Sequence, residues 1–295
     1  MRDFLNEATN RILVLDGAMG TELDKRGMPA GYCRELWNAE QPENIREIHR
    51  AYIDAGADAI LANTFGGSRL KLGAYDVGHR AYELNVRGTE IARLEAGDDH
   101  FVLGDVGPTG LFMEPLGTTS YEEFYDAFAE QVEAFVTGGA DGVIIETMSA
   151  VEEAAVAVRA AKEASSLPVL ALMGFRRDAD GKGFHTIMGV DIERAVNELS
   201  EANADVLGTN CWNSIREMSE IVRRMRQVTE KPIAAEPNAG QPRLVKEQTV
   251  FDETPEIMAD GIEELIRAGA RIVGGCCGTT PEHIRLMAAR AKRLS

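Results

Sequence analysis

The sequence of 295 residues contains few cysteines, few aromatic residues and no long apolar run. Four cysteines are too few for a disulfide framework, which leaves metal ligation, nucleophilic chemistry or burial as their functions. No apolar stretch approaches the roughly 20 residues that cross a bilayer, and the first residues, MRDFLNE, lack the apolar segment of a signal peptide. We therefore expect a cytoplasmic protein that does not associate with membranes.

Basic residues are also scarce. The sequence has 31 Lys and Arg against 48 Asp and Glu, which gives a formal net charge of −17 at pH 7. Such a surface repels a phosphate backbone unless a local basic stripe is present, and the sequence contains no such stripe. Nucleic acid is therefore not expected as a partner. The remaining composition, 44% apolar and 27% charged, is that of a globular protein whose fold is held by burial.

Short aliphatic runs alternate with longer amphipathic segments, which is the pattern of parallel strands joined by crossover helices. Eight strands are predicted: Ile12–Asp16, Ala59–Asn63, Phe101–Asp105, Gly142–Glu146, Val169–Met173, Val206–Asn210, Ile233–Glu236 and Arg271–Gly275. No linker divides them, and the turn Gly17-Ala-Met-Gly20 lacks the G-x-G-x-x-G spacing of a dinucleotide-binding sheet. The sequence therefore predicts an α/β fold, a single (β/α)₈ TIM barrel over residues 1–295, with a doubly wound sheet as the alternative.

A weak internal repeat supports this count. The segments Ala55–Asp58, Gly138–Asp141, Ala202–Asp205 and Ala268–Arg271 read AGAD, GGAD, ANAD and AGAR, and each lies between a predicted helix and a predicted strand. Their second residue is Gly or Asn, the types that most readily adopt the left-handed conformation that ends a helix. One supersecondary unit therefore recurs along the chain.

The ends of the predicted strands are unusually polar. In a barrel of this kind the catalytic groups lie at the carboxyl ends of the strands. The residues there are Asp16, Asn63 with Thr64, Asp105, Glu146, Gly174, Asn210 with Cys211, Glu236 with Asn238, and Cys276 with Cys277. A single carboxylate at such a position is as often a helix cap or an ion-pair partner, but Asp, Glu or Asn residues at six of eight ends indicate a functional site.

Three of the four cysteines fall at this rim. Cys211 ends the sixth strand, and the adjacent Cys276 and Cys277 end the eighth. Neighbours in a regular strand point to opposite sides, so both can face one ion only if the strand has already turned, which the flanking glycines permit. Three thiolates suit Zn²⁺, which in catalytic sites keeps one position open for water or substrate. The alternative is that these cysteines are buried without a metal. Cys33 is predicted to be a bystander or, as a fourth ligand, to make the zinc structural.

The turn after the first strand predicts a second part of the site. The backbone N–H groups of Gly17-Ala-Met-Gly20 offer a binding position for a carboxylate or a phosphate. Asp16 and Glu146 are acidic and can pair with an ammonium group. Together these residues predict a site for an amino acid, opposite the metal.

These motifs resemble those of the homocysteine S-methyltransferase family, which includes the homocysteine-binding module of cobalamin-dependent methionine synthase and the betaine–homocysteine methyltransferases. The motifs are Asp16–Thr21, Asn63–Gly66, Val106–Gly110, Asn210–Cys211, Pro237–Gly240 and Gly274–Pro281, and they extend in order over nearly the whole chain. The resemblance implies a (β/α)₈ barrel and a methyltransferase that forms methionine. It also implies Zn²⁺ on Cys211, Cys276 and Cys277, with the homocysteine sulfur as the exchangeable ligand.

The resemblance further implies how the substrate is bound. Asp16 and Glu146 would face the ammonium group of homocysteine, and the backbone of Gly17, Ala18, Met19, Gly20 and Thr21 would bind its carboxylate. We expect Asn210 and Asn238 to be further substrate contacts. Zinc chemistry agrees with this assignment, because a free thiol with a pKa of about 8.5 is mostly protonated at neutral pH, whereas coordination deprotonates it.

The methyl donor is predicted from positions at which this sequence differs from the motifs of the family. The aromatic residues that cage the quaternary ammonium of betaine in the animal enzymes fall at Gly66 and Thr147 here, and such a cage needs aromatic rings. The chain also ends at Ser295 with no folate or cobalamin module attached. We therefore expect a methyl-corrinoid on a separate protein as the donor.

Two alternatives remain open. Glu146–Ala150, Glu35–Asn38 and Phe65–Arg69 resemble bacterial proteins labelled betaine–homocysteine methyltransferases, so betaine or a sulfonium compound is the alternative donor. Trp37, Trp212 or Tyr32 would then line the donor site. A function of another class is a non-catalytic zinc-binding or thiol-binding module, in which Cys33 or His185 completes a closed site.

Overall fold

The computed structural model describes residues 3–245 and 248–294. Within them one sheet contains eight parallel strands: β1 (Leu13–Val14), β2 (Ala59–Leu61), β3 (Phe101–Val106), β4 (Gly142–Met148), β5 (Val169–Met173), β6 (Val206–Asn210), β7 (Ile233–Glu236) and β8 (Ala270–Val273). Strands that are consecutive in the chain are neighbours in the sheet. β1 pairs with β8, and a bridge between Leu15 and Ala59 joins β1 to β2. The predicted (β/α)₈ barrel is confirmed as a nearly closed barrel, and the doubly wound alternative is wrong.

Helices surround this barrel. Those in the described residues are α1 (Phe4–Asn10), α2 (Met19–Lys25), α3 (Trp37–Glu40), α4 (Pro42–Asp54), α5 (Arg69–Gly73), α6 (Ala81–Ala96), α7 (Tyr121–Gly138), α8 (Val151–Ala164), α9 (Ile192–Glu201), α10 (Ile215–Arg226), α11 (Pro255–Ala268) and α12 (Pro281–Ala291). Ser120 and Ser214 begin α7 and α10 with capping boxes, which satisfy the first N–H groups of each helix. None of these helices, within residues 3–245 and 248–294, combines the length and the apolarity that a bilayer span requires.

The strands are buried on both faces. Alternate strand residues face the barrel interior, where Leu13, Leu103, Leu172 and Ile272 belong to one apolar cluster. The residues between them face outward and form a larger cluster with the apolar sides of the helices. Burial of both faces explains why the strands read as continuous aliphatic runs rather than as an alternation of apolar and polar residues.

The short helix α1 closes the amino-terminal end of the barrel. Phe4 and Ala8 belong to the interior cluster, and the Phe4 ring meets the Phe101 ring edge-on with centroids 5.3 Å apart. Arg271 in β8 fastens this helix, because its guanidinium donates to the carbonyl oxygen of Thr9 at 2.8 Å. The sequence analysis did not identify α1, since seven residues are too few to show a helical period.

Aspartates of the internal repeat tie neighbouring strands together at the amino-terminal end. Asp58 accepts a hydrogen bond from the Val14 backbone N–H at 2.9 Å, and its own N–H donates to the Val14 carbonyl oxygen. Asp141 makes the same pair of bonds to Val102 in β3, and Asp205 makes them to Val169 in β5. The side chains of Arg11, Arg93 and Lys162 form ion pairs with Asp58, Asp141 and Asp205 respectively. The repeat therefore carries a structural function in addition to ending the helices.

The loops at the carboxyl end contain two antiparallel hairpins that the sequence analysis did not predict. Residues Arg176–Arg177 pair with Phe184–His185 after β5, and Arg243–Val245 pair with Gln248–Val250 after β7. The strand bounds also differ slightly from those predicted, since β1 ends at Val14 and β4 continues to Met148. These differences all lie at strand ends, where pairing is decided by neighbouring strands rather than by local sequence.

Candidate functional site

Cys211, Cys276 and Cys277 lie together at the carboxyl end of the barrel. Their sulfur atoms are all within 4.8 Å of one another, and those of Cys211 and Cys277 are 3.9 Å apart. Cys211 follows β6 and the vicinal pair follows β8, and only β7 separates these strands in the sheet. The structure thus brings together the three thiols that the sequence placed at one rim.

Backbone bonds to the end of β7 fix these two loops. The Cys276 N–H donates to the Pro237 carbonyl oxygen at 2.8 Å, and the Cys211 N–H donates to the Glu236 carbonyl oxygen at 3.0 Å. Strand β8 has ended before the vicinal pair, as the sequence predicts. The left-handed backbone of Cys211 and Trp212, with φ values of 59° and 61°, was not predicted. Residues other than glycine rarely adopt this backbone conformation unless the surrounding structure imposes it. Such strained residues are common at functional sites.

The sulfur spacing fits a tetrahedral metal ion. Zn–S bonds of about 2.3 Å in a tetrahedron separate two sulfurs by roughly 3.8 Å, and the Cys211 and Cys277 sulfurs are 3.9 Å apart. Thiol donors are typical of zinc and unsuited to Mg²⁺ or Ca²⁺. Among the described residues no fourth Cys, His or carboxylate belongs to the cluster. The three cysteines are therefore able to hold Zn²⁺ with one coordination position left for another ligand.

The two residues considered as a fourth ligand lie elsewhere. Cys33 is buried in a separate apolar cluster, and its thiol donates to a Glu35 carboxylate oxygen at 3.3 Å. Burial, followed by the Glu35 charge, raises the pKa of Cys33 to about 12. His185 pairs with Asp178 at 2.8 Å on the hairpin after β5. Neither side chain is part of the cysteine cluster, which agrees with Cys33 being a bystander.

The thiols of the cluster share hydrogen bonds. Bonds from Cys211 and Cys276, together with a smaller effect of the Arg34 guanidinium, lower the pKa of Cys277 to about 3. The bond to Cys276 lowers the pKa of Cys211, but the bond to Cys277 and burial outweigh it and raise that pKa to about 12. Hydrogen bonds with both neighbours also raise the pKa of Cys276. The titration of each thiol thus depends on its two neighbours.

A cavity of about 200 Å³ opens beside the cluster. Its walls come from the carboxyl ends of seven of the eight strands, all but β5, and from the loops that follow them. The residues that line it are Asp16, Gly17, Ala18, Met19, Gly20, Thr21, Arg34, Glu35, Leu61, Ala62, Asn63, Phe65, Asp105, Glu146, Thr147, Cys211, Glu236, Gly275, Cys276 and Cys277. Among them are all three cysteines, both carboxylates and all five turn residues that the sequence analysis assigned to the site.

Buried carboxylates form the floor of this cavity. Asp105, Glu146 and Glu236 each follow an apolar interior residue by two positions, so the period of the strand turns them inward. Burial raises the pKa of Glu146 to about 7. Burial also raises the pKa values of Asp16, Asp105 and Glu236 well above their usual range, and the neighbouring carboxylates add to this effect. A bound cation would reverse these shifts, because an opposite charge favours the ionised carboxylate.

Asn210 holds this floor in position without lining the cavity. Its side-chain amide donates to Glu146 Oε2 at 2.9 Å and to the Thr147 hydroxyl at 2.8 Å, and its carbonyl oxygen accepts from the Thr147 backbone N–H at 2.7 Å. Asn238 is buried outside the cavity walls, where its N–H donates to the Asn213 carbonyl oxygen. Direct contact of Asn210 or Asn238 with a substrate therefore stays a prediction.

The glycine turn after β1 is tied to the cysteine loop by Thr279. The Thr279 hydroxyl accepts from the Ala18 N–H at 3.0 Å and donates to the Cys276 carbonyl oxygen at 2.7 Å. A Cβ atom on Gly17 would lie 2.7 Å from that hydroxyl, so only glycine fits there. The Ala18 N–H is thus already bonded, whereas the N–H groups of the first turn of α2, which begins at Met19, have no partner within the helix and can bind an anion.

The strand-end rule did not identify Arg34, Glu35 and Phe65 as cavity residues. They lie in the loops after β1 and β2, several residues beyond the strand ends, so the rule that locates catalytic groups at strand ends did not identify them. The aromatic residues proposed for a donor site lie outside the cavity walls. Trp37 is buried in the core, and the Tyr32 hydroxyl donates to Glu40 at 2.5 Å. The Arg176 guanidinium lies over the Trp212 ring, 3.8 Å from the ring centroid.

Comparison with known proteins gives one family. The model of homocysteine S-methyltransferases matches residues 13–291. Proteins named methionine synthase from Mycobacterium leprae (strain TN) and Mycobacterium tuberculosis (strain ATCC 25618 / H37Rv) are 35% and 34% identical to this chain, over 99% and 97% of its length. The chain spans 25% of the length of each of these curated relatives.

Solved structures agree with this assignment. The homocysteine methyltransferase MmuM from Escherichia coli, in its metallated form, has a TM-score of 0.77 at 27% identity, over 95% of this chain and 96% of that chain. Its oxidized form has a TM-score of 0.78 at 26% identity, over 98% of this chain and 100% of that chain. The chain therefore belongs to the homocysteine S-methyltransferase family, a family of methyltransferase enzymes.

Proposed function

We propose that this chain transfers a methyl group to the sulfur of homocysteine and forms methionine, with Zn²⁺ held by Cys211, Cys276 and Cys277. The observation that carries the proposal is the composition of the cavity. The cysteine cluster, a floor of buried carboxylates and the first turn of α2 all line one space of about 200 Å³. A thiol-bearing amino acid has the complementary groups, namely a sulfur, an ammonium group and a carboxylate.

Zn²⁺ on three thiolates supplies the means to deprotonate a further thiol at neutral pH and to keep it nucleophilic, because the centre retains a net negative charge. The residues of this chain supply the binding and the orientation. Leu61, Ala62 and Phe65 give the cavity an apolar wall that keeps water from the reacting sulfur. The cysteine loops are fixed by bonds to the end of β7, so the position of the sulfur donors is set before the substrate arrives.

The ammonium site consists of two carboxylates that are already oriented. Asp16 Oδ2 accepts from the Leu61 backbone N–H at 3.0 Å, and Glu146 Oε2 accepts from the Asn210 amide at 2.9 Å. Each carboxylate is thus oriented by a hydrogen bond from a neighbouring residue, and both line the cavity. This preorganisation supports their assignment to the substrate ammonium, since little ordering remains to be done on binding.

Charge removal at this site should weaken homocysteine binding without loss of zinc. Asp16→Asn and Glu146→Gln each remove a charge while keeping the size of the side chain. We expect each to weaken homocysteine binding by about 1.5–3 kcal/mol, the range for hydrogen bonds to charged groups. Calorimetric titration of the zinc-loaded protein measures the binding, and X-ray absorption counts the sulfur neighbours of zinc with and without homocysteine.

A matched control for these variants is Glu153→Gln. Glu153 is also a buried carboxylate, but it accepts hydrogen bonds from the Thr109 N–H and hydroxyl at 2.8 Å and does not line the cavity. Its variant should bind homocysteine as the unmodified protein does. Normal homocysteine affinity in both Asp16→Asn and Glu146→Gln would show that these carboxylates are structural.

We propose a methyl-corrinoid, presented by a corrinoid-binding protein, as the methyl donor. Recognition of betaine or a sulfonium requires several aromatic faces around a small pocket. Phe65 is the one aromatic ring among the described residues that line the cavity. Thr147 gives the wall a small side chain, and Gly66 is packed against Glu35, whose Oε1 accepts its N–H at 2.7 Å. A cavity with this lining favours a bulky donor that approaches the mouth from outside.

The donor assignment is tested by comparing methyl sources. The zinc-loaded protein with homocysteine should demethylate free methylcobalamin slowly, and faster when the corrinoid is supplied on a corrinoid protein. It should form little methionine from betaine or from a methylsulfonium such as S-methylmethionine. Methionine formation is measured directly. Robust turnover with betaine or the sulfonium in the absence of a corrinoid would reverse the donor assignment and leave the acceptor chemistry intact.

A further inference from the structure

Arg34 introduces a positive charge into an otherwise acidic cavity. Five carboxylates line the cavity, namely Asp16, Glu35, Asp105, Glu146 and Glu236, and Arg34 is the one cationic side chain among the described residues there. Arg34 is exposed, whereas the carboxylates are buried. The cavity is therefore polarised, with negative charge on its floor and positive charge at its mouth.

The backbone of Arg34 is held firmly. It begins a short 3₁₀ turn, Arg34–Leu36. The Asn63 side-chain amide donates to the Arg34 carbonyl oxygen at 3.0 Å and to Asn38 Oδ1 at 2.9 Å. The neighbouring Glu35 accepts the N–H of Gly66. These bonds anchor the turn to the loop after β2, so that the Arg34 side chain reaches the cavity from a fixed base.

The guanidinium of Arg34 lies directly against the first turn of α2. A Cβ atom on Gly20 would be 2.5 Å from Nη1, 2.7 Å from Cζ and 2.9 Å from Nη2 of Arg34, so the absence of a side chain at Gly20 leaves room for the guanidinium. Within residues 3–245 and 248–294 no carboxylate forms an ion pair with Arg34. By contrast, Arg26 and Arg46 are paired with Glu22 and Glu95. Arg34 thus keeps its donors available at the mouth of the cavity.

We propose that the guanidinium of Arg34 binds the α-carboxylate of the amino-acid substrate and selects for a free carboxylate. This inference rests on the proposed function of the cavity. An amino acid whose ammonium group lies among the floor carboxylates points its carboxylate away from them, toward the one positive charge. Arginine suits this task because its planar donors match the two oxygens of a carboxylate. Arg34 is therefore a specificity-determining residue for the acceptor substrate.

The test compares two ligands that differ only in the carboxylate. Homocysteine and 3-aminopropane-1-thiol share the thiol and the ammonium group, and the second lacks the carboxylate. In calorimetric titrations of the zinc-loaded protein without any methyl donor, Arg34→Gln should weaken homocysteine binding ~10-fold or more. The affinity for 3-aminopropane-1-thiol should not change. Arg216→Gln, which removes an exposed arginine outside the cavity walls, should leave both affinities unchanged.

A second variant displaces the Arg34 guanidinium by a steric clash. Gly20→Ala places a methyl group where the guanidinium lies, and the flexible Arg34 side chain can move away without disturbing the fold. It should reduce the preference for homocysteine over 3-aminopropane-1-thiol in the same direction as Arg34→Gln. Agreement between the two variants would assign the effect to the position of the guanidinium.

The outcomes separate this inference from the proposed function. If the unmodified zinc-loaded protein bound neither thiol, the proposed function itself would fail. If it bound homocysteine, and Arg34→Gln either kept that affinity or weakened both ligands equally, the role of Arg34 would be overturned while the proposed function stood. An effect of Arg34→Gln confined to the KM for the methyl donor would also overturn it, because the charge would then serve the donor.

Discussion

Replacement of Cys276 by alanine is expected to abolish zinc binding and methyl transfer together. The described residues offer three sulfur donors and no fourth protein ligand at the cluster, so loss of one leaves only two. Catalytic zinc sites keep three protein ligands, and two thiolates cannot hold the ion through dialysis. The same result is expected for Cys211→Ala and Cys277→Ala. Metal analysis after dialysis and an assay of methionine formation measure the two losses.

Cys33→Ala is the matched control for these variants. Cys33 is buried in a separate cluster with Leu72, Ala81 and Leu84, so its replacement should leave zinc content and turnover intact. Treatment of the unmodified protein with a chelator should abolish activity, and added zinc should restore it. The three ligand variants should not recover in this way. Retention of both zinc and turnover by Cys276→Ala would disprove the ligand assignment.

A second large effect is expected at acidic pH and originates at His49. This side chain of α4 is fully buried, and within the described residues neither ring nitrogen has a hydrogen-bond partner. Burial lowers the pKa of His49 from 6.5 to about 4. The folded protein therefore resists protonation at a pH where the unfolded chain accepts the proton. The free energy of unfolding should fall as the pH decreases from 6.5 toward 4, by about 3 kcal/mol in total.

Comparison of variants isolates the contribution of His49 to the pH dependence of the unfolding free energy. The raised pKa values of the floor carboxylates give the opposite slope, since the folded protein then binds protons more readily than the unfolded chain. His49→Leu removes only the contribution of this histidine. The stability of the variant relative to the unmodified protein should therefore improve steadily as the pH falls from 7 to 4.5. Chemical denaturation at several pH values measures this difference. His79→Gln, at an exposed position, should show no such trend, and parallel pH profiles for His49→Leu and the unmodified protein would refute the assignment.

The fold was largely predictable because barrel strands are buried on both faces. This burial makes them continuous aliphatic runs, and runs such as Val169–Met173 and Val206–Asn210 match the observed strands at both ends. The ends of β1 were predicted less well, since the predicted strand Ile12–Asp16 is longer than the observed Leu13–Val14, beyond which Leu15 makes only an isolated bridge to Ala59. Helix α1 and the two hairpins were missed, because short elements take their stability from tertiary contacts that a local pattern does not report.

The candidate site was predictable to the extent that its residues stand at strand ends. The ends of β6 and β8 lie on the same rim of the barrel, so the strand count, together with the glycines that flank the vicinal pair, predicted the cysteine cluster. Arg34 and Phe65 were not predictable in this way, because their place in the cavity depends on how the loops after β1 and β2 fold over the mouth. Thr279 is a similar case. Its bonds to Ala18 and Cys276 join two loops at opposite ends of the chain.

The aspartates that tie neighbouring strands give the barrel a pseudo-fourfold symmetry. Asp58, Asp141 and Asp205 each join an odd-numbered strand to the even-numbered strand that follows, so the barrel consists of quarters, each with two strands. In the last quarter the corresponding residue is Arg271, and it bonds to α1 instead of to β7. The symmetry is therefore broken where the beginning of the chain meets its last strand, and the altered residue fastens the helix that closes the amino-terminal end of the barrel.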